Sequence, residues 1–138
     1  MKRLMFFFFA CFFILSSCAT IPRKTISQGD LADLKGYWDG LRSISIQKSQ
    51  VQTHVDMEIF NDTLPLKGTI TITLYSLMDK RAYPFDNGEI DREGNLVIKL
   101  PDNARVVLGL YKGRGKTKLY GSIYQSGGEG VLTLLKIR

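Results

Sequence analysis

The residues best placed to do chemistry are His54, Asp56 and Glu58, in the run His54-Val55-Asp56-Met57-Glu58-Ile59. In an extended chain, positions i, i+2 and i+4 put an imidazole and two carboxylates in one row. Such a row is the raw material of a metal site or an acid–base pair. Val55, Met57 and Ile59 form the alternate, apolar row, so the polar row is expected to face water. His54 is the only histidine, and a zinc site would need further His or Cys ligands. A second stretch, Asp86-Asn87-Gly88-Glu89-Ile90-Asp91-Arg92-Glu93, has oxygen ligands suited to calcium. It lacks the EF-hand spacing and closing bidentate glutamate, and Asn87-Gly88 reads as a type I′ turn pair. The sequence contains no Gly-x-Ser-x-Gly elbow, phosphate loop or dinucleotide fingerprint. No catalytic residue, metal or cofactor is assigned, and no enzyme is expected.

The densest charged feature is Lys112-Gly113-Arg114-Gly115-Lys116-Thr117-Lys118. Its simplest role is a solvated hairpin tip that discourages edge pairing. Lys112, Arg114, Lys116 and Lys118 are also candidates for contact with anionic lipid headgroups, where each cation adds ~1 kcal/mol of attraction. The tip belongs to a basic C-terminal part. Residues 105 to 138 hold seven basic side chains against Glu129 alone, whereas residues 25 to 104 hold eight basic and twelve acidic ones. A basic patch also suits nucleic acid, but no nucleic-acid motif accompanies it, and no such partner is expected.

The elements that must position these residues are strands. From Tyr37 onward the sequence alternates with period two, most cleanly in Thr69-Ile70-Thr71-Ile72-Thr73-Leu74-Tyr75. Glycine-, asparagine- and proline-bearing turns separate about eight runs, at 37–47, 52–60, 66–75, 83–90, 95–100, 104–111, 117–124 and 130–137. The connections are too short for crossover helices, so hairpin-connected antiparallel strands are expected. The fold class is all-β, an up-and-down barrel of about eight strands, with a two-layer sandwich as the alternative. Leu41, Ile44, Ile46, Val55, Met57, Ile59, Ile70, Ile72, Leu74, Leu119 and Ile123 are expected to point inward and largely fill it. Tyr75, Tyr120 and Tyr124 fall on polar faces, to pair across strands or to form an aromatic patch for a protein partner.

The first eighteen residues concern location. Met1-Lys2-Arg3 precedes an apolar run from Leu4 to Leu15, then Ser16-Ser17-Cys18, the layout of a secretory signal. Twelve helical residues span only ~18 Å, short of a ~30 Å hydrocarbon core. Leu15-Ser16-Ser17-Cys18 resembles the lipobox of bacterial lipoproteins. The resemblance implies cleavage before Cys18, a diacylglyceryl thioether and an N-acyl chain on Cys18, and effectively permanent membrane attachment. By the same resemblance, Ala19 favours the outer membrane, facing the periplasm. Cys11 leaves with the signal, so the mature chain has no second thiol for a disulfide. The expected organisation is a cleaved signal at 1–17, a lipidated N-terminus and flexible tether at 18–34, with a helical turn near Asp30 to Leu34, and one β-barrel domain at 35–138.

Gly36-Tyr37-Trp38 opens the first strand, and Lys136 and Arg138 end the last. This is similar to the lipocalins and their calycin relatives, which begin strand one with Gly-x-Trp and cover that tryptophan with a basic side chain from the last strand. The resemblance implies that Gly36, Trp38 and Arg138, or less favourably Lys136, close one barrel end. Two functions follow as expectations. One is a non-catalytic, lipid-anchored envelope module binding a small apolar molecule or lipid. The other is a structural lipoprotein with a packed barrel, docking an envelope protein through its outer face or basic tip.

Overall fold

The computed structural model describes residues 21–74 and 79–137. Its core is an up-and-down barrel of eight antiparallel strands: β2 (Gly36–Ile46), β3 (Ser49–Ile59), β4 (Leu66–Leu74), β5 (Asp79–Ile90), β6 (Leu96–Lys99), β7 (Arg105–Gly113), β8 (Lys116–Gln125) and β9 (Gly128–Lys136). Each pairs with its sequence neighbour, and β9 pairs with β2, so the sheet has closed on itself. Closure settles the barrel over the sandwich. Turns are tight where the chain permits positive φ. Gln47 (φ 44°) with Lys48 (φ 71°), and Arg114 (φ 49°) with Gly115 (φ 73°), form the two-residue loops of β2–β3 and β7–β8.

An additional strand, β1 (Arg23–Lys24), pairs with Tyr111 and Leu110 of β7. Since β6 covers only Arg105 to Leu108 of β7, β1 takes the edge that short β6 leaves open. A 3-10 turn at Gln28–Asp30 and the helical turn α1 (Leu31–Leu34) follow. Ile26, Leu31 and Leu34 are buried in the barrel core. The expectation of a flexible tether over 18–34 is therefore corrected: from Arg23 onward these residues plug the barrel's N-terminal end. The helical turn near Asp30 to Leu34 is as expected.

Asn87 and Gly88 do not make the expected turn either. They lie within β5, where the pairing with β4 shifts by one residue between Gly68↔Phe85 and Leu66↔Gly88, a bulge. The Asn87 amide donates to the Lys99 carbonyl at 2.9 Å and accepts from its N–H at 2.9 Å. A side chain thus replaces a rung of the ladder where β5 bends away from β6.

Inward residues stack in layers. Trp38, Val55, Met57, Leu66, Leu108 and Leu119 are each 0% exposed, so no void large enough for a water touches them. The centre next to the plug is packed with side chains, as eight-strand geometry allows. The inward parity on β2 differs from expectation. Trp38 and Arg42 are buried while Leu41 is 42% exposed, and Ile46, at the end of its strand, is exposed as well. Trp38 and Arg42 share the inward parity that turns Leu41 outward, while Ile46 has that parity but lies exposed where the strand ends.

Candidate functional site

Packing changes at the end opposite the plug, where the turns β2–β3, β6–β7 and β8–β9 gather. Arg42 points inward there: a Cβ on Gly130 would come within 3.4 Å of its Cγ and 3.2 Å of Cγ2 of core Ile123. Arg42 is 8% exposed, and among the described residues no carboxylate forms an ion pair with it. Nη1 donates to Gln125 Oε1 at 3.2 Å, a long contact beside the ~2.7–2.9 Å usual for a charge-assisted bond. Nε is buried without a hydrogen-bond partner. Burial pushes the guanidinium pKa down, while nearby Tyr83 works the other way. Thr53, cross-strand partner of Arg42, is 4% exposed, and its Oγ1 also lacks a partner. A concavity of about 220 Å³ is lined by Tyr83, Leu100, Pro101, Asp102, Ala104, Gln125, Ser126 and Gly127; Arg42 and Thr53 are not in its lining, and Arg42 meets it through Gln125. Arg81 on β5 is paired, Nε to Asp79 Oδ2 at 3.0 Å. Among the described residues Arg42 is thus a buried cation with no carboxylate partner, and Asp102 is the charged residue in the lining of the concavity.

Gly36 and Trp38 lie at the plugged end. Gly36 has φ 123°, a conformation open to glycine that lets the chain turn from α1 into β2. Trp38 is fully buried, and its Nε1 donates to the Leu34 carbonyl at 2.9 Å. Lys136 lies over the indole, with Nζ 5.8 Å from the ring centroid and 2.6 Å from the Asp33 carbonyl. Arg138 lies outside the described residues, as do Cys18 and Tyr75.

The four basic-tip residues part company. Lys112 is paired with Asp33 and lies 3.8 Å from Asp30, which holds the Asp33 carboxyl below the usual carboxylate range. Lys118 Nζ sits 5.1 Å from the Tyr111 ring and 5.2 Å from the Tyr120 ring. Arg114 and Lys116 are exposed. The tip does lie at the N-terminal end: a Cβ on Gly113 would be 3.4 Å from Ile21 and from Pro22.

The outer-face row is rearranged. His54 Nε2 lies 2.5 Å from Asp39 Oδ1 and 3.6 Å from Asp56 Oδ1, and the Tyr37 hydroxyl donates to Asp56. Asp39, His54 and Asp56 each offer a ligand atom within 4.8 Å of the others. Glu58 is not in this group. Asp39 stands on β2 directly opposite Asp56, a proximity that needs the register to be seen. In the oxygen-rich stretch from Asp86 to Glu93, Asp91 caps a turn: it accepts from the N–H groups of Glu93 and Asn95 at 3.0 and 2.8 Å.

A shallow outer groove over β7 and β8 is lined by Val107, Gly109, Tyr111, Tyr120 and Tyr124, with Arg23 and Asn95 at its edge. Tyr111 and Tyr120 meet edge to face, 6.1 Å between centroids and 85° between planes. Sequence reasoning missed Arg42 and Thr53; the signals that would have found them are the parity Arg42 shares with Trp38 on β2 and the parity Thr53 shares with Val55 and Met57 on β3. Comparison with known protein families, with curated proteins and with solved structures finds no match.

Proposed function

We propose that this chain is a lipid-anchored protein of the bacterial envelope, attached through Cys18 on the periplasmic side of the outer membrane. Its barrel serves as a non-catalytic binding module for a small molecule with an apolar part. The lipobox-like Leu15-Ser16-Ser17-Cys18 and the position of Ile21 beside the β7–β8 tip support this orientation. The plugged end then faces the membrane and the mouth faces away from it. The observation that carries the reading is the contrast between the two ends: aliphatic side chains fill the plugged end, while the mouth is open, polar and incompletely satisfied. The occupant is held at the mouth, not swallowed by a deep cup. Native mass spectrometry of the mature protein from an envelope extract tests this. A stoichiometric small molecule, lost when mouth residues are changed, supports it.

The outer groove favours a second reading, docking of an envelope protein. Tyr120 and Tyr124 remain substantially exposed beside Val131 and Leu135, and aromatic side chains are enriched in protein interfaces. A bare mass in repeated preparations, with crosslinks to one partner through Tyr120 or Tyr124, would replace the small-molecule reading with this one.

A further inference from the structure

A buried cation without a counter-charge is expensive, and proteins ordinarily pair it or neutralise it. Among the described residues, Arg42 has no such counter-charge. Its Nη1 meets a neutral amide oxygen at 3.2 Å, its cross-strand partner is Thr53, whose hydroxyl has no hydrogen-bond partner, and its Nε has no acceptor. Gln125 is exposed, so its side chain can swing aside at little cost. It stands where an anionic oxygen would make a shorter, stronger bond.

We propose that the mouth recognises a monocarboxylate bearing a short apolar chain, its carboxylate displacing Gln125 from Arg42 and its chain lying against Leu100, Pro101 and Ala104. This rests on the reading of the mouth as a binding site. Three features select the class. The planar guanidinium fork suits a carboxylate. One buried charge balances one negative charge, so a single carboxylate leaves no excess negative charge beside Asp102, which lines the opening. The concavity of about 220 Å³ is below the ~300–1,000 Å³ of sites for drug-sized molecules, which limits the ligand to a head group and a few carbons.

The test is NMR titration of the mature chain carrying Cys18→Ser, with hexanoate and, separately, hexanol. Hexanoate should shift the amides of Ala104 and Gln125 and the Arg42 Nε–H resonance saturably, while hexanol should not. Arg42→Gln should weaken hexanoate by about 10-fold or more, the loss of a charge-assisted bond. Gln125→Glu places a carboxylate on Arg42 from within and should abolish hexanoate binding in a folded protein. Equal binding of hexanol and hexanoate would overturn the carboxylate assignment and leave the mouth as a binding site. No shift at the mouth with either probe would overturn both. Undiminished hexanoate binding in Gln125→Glu would remove Arg42 from the site.

Discussion

Arg42 and Thr53 face each other across the β2–β3 ladder inside the barrel, and the Arg42 Nε and the Thr53 Oγ1 both lack hydrogen-bond partners. Groups selected for stability are rarely left this way, because an unsatisfied buried donor costs about 1–3 kcal/mol. A site that sacrifices stability for recognition leaves this mark. Arg42→Met, which keeps the stem and removes the charge, should hold or raise stability by up to about 2 kcal/mol. Urea unfolding monitored through Trp38 checks it. A loss of stability would show Arg42 to be a structural residue.

Trp38 and Lys136 behave in the opposite way. The indole is fully buried, donates to the Leu34 carbonyl and lies under the Lys136 ammonium, which also holds the Asp33 carbonyl. One interaction ties β2, α1 and β9 at the plugged end. Trp38→Phe should cost about 2–3 kcal/mol from the lost hydrogen bond and the void. Lys136→Met should cost about 1 kcal/mol. If Lys136→Met is neutral in thermal unfolding, the cation is not a meaningful part of the closure.

The barrel was legible in the sequence because each strand carries its own period-two pattern, and local alternation needs no knowledge of partners. The plug was not. Ile26, Leu31 and Leu34 follow neither a strand nor a sustained helical period, and their burial comes from the barrel end they cover. On β2 the binary pattern misleads, since apolar Leu41 faces water and charged Arg42 faces the core. The His54 group was half legible. Its β3 members stand on one face as the alternation predicts, but Asp39 joins from β2 through a register that spacing alone does not supply.

Asp30 makes the plug acid-sensitive. Its carboxylate is buried and accepts from Lys24 and from both the N–H and hydroxyl of Ser27. The Lys24 bond, then the Ser27 bonds, hold its pKa far below the ordinary value against the opposing effect of burial. A depressed folded pKa contributes stability that is present above the unfolded pKa of about 3.9 and is lost as pH falls toward the folded value. Asp30→Asn should therefore cost about 1–2 kcal/mol at neutral pH. The gap to the parent should close as pH falls below about 4. Chemical denaturation at a series of pH values checks it; a gap that stays constant to low pH would assign the loss to shape, not charge.

The basic tip yields a prediction about which cations reach a membrane. Lys112 is committed to Asp33, and Lys118 lies between two tyrosine rings. Arg114 and Lys116 project at the turn beside the point where the chain enters the domain. Each of these two should contribute ~1 kcal/mol of attraction to an anionic surface. Arg114→Ser with Lys116→Ser should then weaken binding of the non-lipidated mature chain to phosphatidylglycerol vesicles by about 30-fold at low salt. The effect should fade as added salt shortens the Debye length below ~10 Å. Lys112→Ser should do less to binding and more to stability, since it strands Asp33 and loosens the plug. Equal losses from Lys112 and from the Arg114–Lys116 pair would mean that the plug opens at the membrane and frees Lys112 to take part.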